Sequence, residues 1–312
     1  MMCCAIVSGK IVVGALSRIE NQAGPLFSSG FRPSFKTRQD RFPVRQAPMT
    51  AIASSRTRSR PLGRTVSVLS GALLALGLLS GRPVADEGPC RPGQFADSAF
   101  VACTVDLRRY DVKLFWRGSD GGVLGSFGRL KETSDGERLA FAMNAGMFHE
   151  DRSPVGLYVE DGKELKVANT RSGPGNFHLK PNGIFYVKGD RAGVMETGAY
   201  LKRKFRPDYA TQSGPMLVID GRIHPKISQD GTSRKIRNGV GIKDRHTAVF
   251  VISDDPVTFD TFARLFRDGL GCDNALFLDG SISSLYAPSL ERDDAFRPMG
   301  PIVGALRRRH AM

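Results

Sequence analysis

Histidine and cysteine are scarce in this chain, five of each among 312 residues. His149, His178, His224 and His246 show no HExxH or other tight ligand spacing, which argues against a zinc hydrolase, and His178 and His224 read as polar turn residues. The cysteines form no metal-type pairs. Beyond residue 86 the chain also lacks a G-x-S-x-G elbow, a P-loop and a Rossmann glycine pattern, so the standard serine-hydrolase and nucleotide-binding readings lose support. Acidic residues are nearly missing from the first quarter: residues 1–85 hold twelve Lys or Arg against Glu20 and Asp40. Most of the formal net charge of +14 therefore sits there. The remainder is close to balanced, with 33 basic and 29 acidic residues, and gives no general electrostatic case for nucleic acid.

That basic quarter has the order of a leader. Arg56, Arg58, Arg60 and Arg64 precede the apolar run 66–79, too short to span a bilayer comfortably, and Ala85 offers a small residue at a cleavage point. The pattern predicts export to the periplasm or the exterior, with the membrane involved only through the signal. No arginine pair precedes the run and no cysteine closely follows it, so twin-arginine export and lipid anchoring are unsupported. A start at Met49 gives a signal of ordinary length at 49–85. Residues 1–48, rich in Arg, Pro, Ser and Gly without periodicity, then read as a disordered or upstream extension. The folded domain is expected over 86–312. Export permits disulfides, and the spacing predicts a Cys90–Cys103 pair in a short loop, leaving Cys272 free and buried beside a strand at 274.

From Val101 onward short apolar runs alternate with glycine turns. Strands are predicted at 112–116, 139–143, 156–160, 183–187, 216–219 and 247–252, with turns at Asp161-Gly162 and Asp220-Gly221. One helix stands out: Thr258 or Asp260 can cap it, Phe259, Phe262, Leu265, Phe266 and Leu270 share a face, and Gly271 ends it. These phenylalanines read as core. The helix feeds directly into the apolar run 275–278, which gives an α+β single domain with a mixed, largely antiparallel sheet core and a few flanking helices.

That run delivers Asp279-Gly280-Ser281 to a strand end, where a carboxylate, a glycine turn and hydroxyls converge. An Asp-Gly pair is equally the commonest way to leave a strand. Similar segments recur at Asn144-Ala-Gly-Met-Phe148, Lys180-Pro-Asn-Gly183, Gln212-Ser-Gly-Pro215 and Arg237-Asn-Gly-Val-Gly241. Each is an ordinary turn by composition. Together, Asn144, Asn182, Gln212, Ser213 and Asn238 offer neutral hydrogen bonds of the kind that read sugar hydroxyls, while Gly239 and Gly280 admit a close ligand. Lys180 and Arg237 add positive charge. A guanidinium matches phosphate oxygens with parallel hydrogen bonds, although Arg234, Lys235 and Arg237 also read as a solvated basic run. Cleavage of a sugar phosphate needs a carboxyl group, and Asp279 is the first choice. Glu196 and Asp220 are weighed as a second acid, and that role stays unassigned.

In order and spacing these segments, with Pro154-Val-Gly-Leu157, resemble the phosphodiester glycosidase family, in particular its bacterial exported members, over about residues 103–288. The resemblance implies a hydrolase that cleaves the C1–O bond of a sugar-1-phosphodiester, releasing sugar and a phosphomonoester. By position Asn144, Arg237, Asp279 and Ser281 match the polar residues of the family's pocket. Where the animal enzyme has a glycine-rich Asp-Gly-Gly-Gly-Ser turn, this chain has Asp279-Gly-Ser-Ile-Ser-Ser284, so substrate identity does not carry over. Two other readings stand beside it: a cell-envelope glycan-binding protein without catalysis, and a metal-dependent phosphodiesterase. The sequence requires no cofactor and fixes no metal ligand, although Asp and Asn residues that could bind Ca²⁺ or Mg²⁺ are present.

Overall fold

The computed structural model describes residues 88–294 and 297–309. The extension expected at 1–48, the signal expected at 49–85 and cleavage near Ala85 lie outside the described residues. Among the described residues seventeen strands form three sheets, and every ladder between them is antiparallel. The largest sheet runs Cys90–Phe95, Ser98–Asp106, Thr247–Ser253, Asn238–Asp244, Asn274–Phe277, Met216–Ile219, Arg222–Ile223. A second runs Arg292–Asp293, Leu285–Ala287, Leu139–Asn144, Ile302–Arg307, Tyr110–Phe115. The third runs Lys163–Lys166, Tyr158–Glu160, Tyr209–Ser213, Gly183–Lys188, Arg191–Glu196. With three short helices outside the sheets, this is the α+β domain the strand pattern predicts, and the expected mixed sheet is antiparallel throughout.

Alternation along the strands decides where each side chain goes, because successive residues point to opposite faces. Val240, Phe250, Leu276 and Leu278 enter a core shared by all three sheets. Val249, Val251, Ala275 and Phe277 point the other way and meet the helix Phe259–Arg264 with its wider turn Leu265–Gly269. Thr258 caps that helix, its Oγ1 accepting from the Thr261 N–H at 3.1 Å, and Gly271 ends it in a left-handed conformation at φ +66°. Both expectations hold.

The segment 237–241, a turn by composition, is instead the start of a central strand, Asn238–Asp244. Its glycines serve packing. A Cβ on Gly239 would lie 2.8 Å from the Leu276 carbonyl oxygen and 3.2 Å from the Phe266 ring, and one on Gly241 would meet Phe266 at 2.6 Å. The helix lies flat on this strand only because two side chains are missing. Cys90 and Cys103 are bonded as expected, but as opposed residues of the hairpin Cys90–Phe95/Ser98–Asp106, not within a loop. Cys272 is free and buried beside the Asn274–Phe277 strand. Among the described residues no helix is long and apolar enough to cross a membrane.

Candidate active site

Three backbone hydrogen bonds fix the end of the Asn274–Phe277 strand. Phe277 N–H donates to the Pro215 carbonyl at 3.1 Å, Leu278 N–H to Asn238 at 3.0 Å and Asp279 N–H to Ala145 at 3.1 Å. Three of the recurrent polar segments therefore meet at Asp279. The chain then turns over Gly280–Ile282, with Asp279 Oδ1 accepting from the Ser281 N–H at 3.1 Å. Gly280 is needed there, since a Cβ would lie 2.4 Å from the Phe277 ring. Asp279 is 9% exposed, and burial pushes its carboxyl above the usual carboxylate range while hydrogen bonds from Ser281 pull the other way. Ser281 itself is exposed, and Arg297 Nη1 reaches its carbonyl at 3.4 Å.

Behind the turn lies a closed amide network. Asn144 Nδ2 donates to the Asp279 carbonyl at 2.7 Å, and its Oδ1 accepts from Asn238 Nδ2 at 3.0 Å and Ser284 N–H at 2.9 Å. Asn238 Oδ1 accepts from Ser283 Oγ at 3.1 Å. Asn144 is 1% exposed and Asn238 fully buried, so both hold the Asp279 turn in place instead of facing a ligand. The sequence leads one to expect Asn144 as catalytic and Asn238 as substrate-binding; the structure places both behind the Asp279 turn. Each buried polar atom here has a partner, as burial of amides demands.

Arg237 is the most unusual residue in the site. It is 2% exposed, so it does not belong to a solvated run with the exposed Arg234 and Lys235. Its Nε donates to the Val257 carbonyl at 2.9 Å, its Nη2 to Ser233 at 2.9 Å, and its guanidinium lies 3.7 Å over the Phe259 ring and 5.6 Å from that of Phe277. Such stacking suits a desolvated guanidinium. Among the described residues it forms no ion pair, and burial alone lowers its pKa to about 10, leaving it charged at neutral pH. Arg237 stacks on Phe259 and Phe277, which belong to the helix-facing layer of the sheet, whereas Asn238 bonds Asn144. A buried cation without a counter-ion is costly, and an arriving anion removes that cost.

Gln212 and Asn182 form a separate internal cluster. Gln212 Oε1 accepts from Leu157 N–H at 3.0 Å and Asn169 N–H at 2.8 Å, its Nε2 donates to the Asn169 carbonyl at 2.9 Å, and Asn182 bonds the Phe177 carbonyl and the Thr197 hydroxyl. Their amides, expected to bind substrate, tie loops together in this structure. Gly239 faces the helix, as above. Lys180 Nζ bonds the Thr170 carbonyl, while the buried Ser213 Oγ has no protein partner. Glu196 caps the helix Thr197–Lys202, and Asp220 pairs with Asn274 at the far end of the strand that carries Asp279. Neither serves as the second acid. Among the described residues no three His, Cys, Asp or Glu side chains are grouped to hold a metal ion. Ser283 and Ser284, within the flagged 279–284 turn, join the site through Asn238 and Asn144, and Phe259, expected as core, joins it by covering Arg237.

A family model for phosphodiester glycosidases matches residues 137–304, more than half of the chain and all of this site. The chain belongs to the phosphodiester glycosidase family. It is also 38% identical over 186 residues to the uncharacterized protein YigE of Escherichia coli K12, covering 59% of this chain and 73% of that protein. The fold is similar to the catalytic domain of zebrafish N-acetylglucosamine-1-phosphodiester alpha-N-acetylglucosaminidase, solved auto-inhibited by pro-peptide: TM-score 0.50, 15% identity, 70% of this chain and 82% of that one. A hypothetical protein from Synechocystis matches at TM-score 0.46 and 15% identity over 70% of this chain and 61% of its own. Membership in the phosphodiester glycosidases supports a hydrolase of that kind.

Proposed function

We propose that this phosphodiester glycosidase is an exported hydrolase that cleaves the C1–O bond of a sugar-1-phosphodiester, releasing the sugar and a phosphomonoester. The buried, uncompensated guanidinium of Arg237 carries this reading. As the C1–O bond breaks, its electron pair leaves with the phosphate, and Arg237 faces the growing negative charge from a site dry enough to make the interaction strong. A phosphate leaving group needs a cation more than it needs a proton. Asp279 then acts at C1, either as base to the attacking water or as nucleophile, and a raised pKa makes it a stronger base. Asn144 and Asn238 are positioning residues that fix the Asp279 turn, and Ser281 presents its hydroxyl at the mouth. Neither step calls for a metal ligand, and the basic leader and the Cys90–Cys103 bond support export.

The test is release of sugar from a synthetic sugar-1-phosphodiester. Asp279→Asn is expected to lower kcat by at least a hundredfold, and turnover near wild type removes the central claim. Arg237→Ala should weaken phosphate-bearing substrates far more than plain glycosides. Equal loss on both argues against the phosphate role. Solvent oxygen entering sugar supports C1–O cleavage, and entry into phosphate favours the phosphodiesterase alternative.

A further inference from the structure

Three large apolar side chains stand out at the surface among the described residues: Leu165 is 48% exposed, Val167 67% and Leu201 50%. They are neighbours. Leu165 and Val167 lie on and just after the strand Lys163–Lys166, the outer edge of the third sheet, and Leu201 lies on the helix Thr197–Lys202. A cleft of about 420 Å³ joins the two elements, lined by Glu164 from the strand and by Leu201, Arg203 and Arg206 from the helix and the residues after it.

Around them the charge is largely of one sign. Residues 197–207 hold Lys202, Arg203, Lys204 and Arg206, all exposed, and no acid. The acids that flank this stretch are engaged elsewhere: Glu196 accepts from the Ala199 N–H at 2.7 Å, and Asp208 pairs with Lys188 at 2.7 Å. None of the four bases forms a side-chain hydrogen bond or ion pair among the described residues. Lys163 and Lys166 add two exposed bases on the strand, against Glu164.

Lysine on an edge strand has an ordinary use, to keep the edge from pairing with another chain. Charge alone serves that end, and a leucine and a valine beside it work against it. The edge also suits a second copy poorly, since antiparallel pairing of Lys163–Lys166 about its own centre sets lysine against lysine. Scattered apolar residues need no explanation, but three together inside a basic field do. A surface that is anionic outside and apolar just beneath answers both features, the bases meeting phosphate and the apolar side chains entering below it.

We propose that this face docks on an anionic lipid surface, with Lys202, Arg203, Lys204 and Arg206 against the lipid phosphates and Leu165, Val167 and Leu201 inserted among the headgroups. The folded domain then has a membrane contact of its own, apart from the leader. This stands independently of the reaction proposed above, and none of these residues takes part in the Asp279 site.

The test places a reporter in the face. Val167→Trp is made in the full chain, whose one native tryptophan, Trp116, gives the baseline. Vesicles of equal parts phosphatidylglycerol and phosphatidylethanolamine are expected to shift the new emission to the blue and, with brominated acyl chains, to quench it. Attachment through the leader alone leaves that emission unchanged. In this background Lys202→Ala/Lys204→Ala should weaken the binding by about twenty-fivefold, roughly fivefold for each base. Leu165→Ser/Leu201→Ser should weaken it by about tenfold. An absent blue shift, equal binding to phosphatidylcholine vesicles, or binding indifferent to either pair of substitutions overturns the proposal. Tighter binding to soluble dextran sulfate, indifferent to the leucine pair, does so too and reassigns the face to a soluble polyanion.

Discussion

Replacing Asn144 by alanine separates a residue that positions from one that touches substrate. Its side chain makes three hydrogen bonds, and one of the partners, Asn238 Nδ2, keeps a second acceptor in the Asn144 carbonyl at 3.0 Å. The Asp279 carbonyl keeps the Ile282 N–H at 3.4 Å, while the Ser284 N–H is left in the interior with no partner. An orphaned buried N–H costs about 1–3 kcal/mol, and the variant should be less stable by that amount. That is a sizeable part of the roughly 5–15 kcal/mol of a typical domain, yet leaves it folded. Urea unfolding at neutral pH, with the m-value unchanged, measures it. Ser283→Ala, which removes the bond to Asn238 Oδ1 at 3.1 Å, serves as the control and should cost about 1 kcal/mol. Because the Asp279 turn loses its anchor, kcat should also fall, by about a hundredfold for a displacement near 1 Å, with KM little changed. A loss of stability under about 1 kcal/mol would show that the amide is not the anchor described. A KM effect without a kcat effect would instead place Asn144 against substrate.

Asp279→Asn should raise the melting temperature at pH 7. The folded pKa of Asp279 lies above its unfolded value, so the native state binds the proton more tightly and the wild type loses stability as pH rises from the ordinary carboxylate range through the folded pKa. The gain from asparagine should shrink below about pH 4, where both states are protonated, and a gain independent of pH would contradict the assignment. Gly239→Ala forces a methyl against the Leu276 carbonyl oxygen at 2.8 Å and should cost about 1–3 kcal/mol, visible as a lower urea midpoint. Cys90→Ser/Cys103→Ser removes a crosslink of 13-residue separation, worth about 3 kcal/mol, and an unchanged midpoint on reduction of wild type would refute the pairing.

Much of the fold is legible in the sequence because its signals are local. Alternating apolar runs mark the strands, Thr258 and Gly271 bracket the helix, and Asp161 and Asp220 turn with positive φ where Asp-Gly pairs predict turns. Glycine misled where it was read as a turn signal: Gly239 and Gly241 sit mid-sheet, and what excludes their side chains is a helix that follows the strand in sequence. The same limit applied to the site. Asp279, Arg237 and Asn144 were legible as a group, but their roles were not.

The sequence by itself determined that a carboxylate leaves a buried strand into a glycine turn, that the polar segments occur in a family's order, and that the chemistry is of the phosphodiester glycosidase kind. Only the tertiary structure decided which of those side chains are saturated by internal hydrogen bonds and which are not. Asn144 is turned inward by partners 94 and 135 residues away, Asn238 and Asp279. Arg237 is desolvated under Phe259 and has no counter-ion among the described residues. Burial and hydrogen-bond saturation depend on contacts between distant segments. Residue type and spacing do not encode those contacts, so a saturated asparagine and a buried, unpaired arginine read alike until the chain is folded.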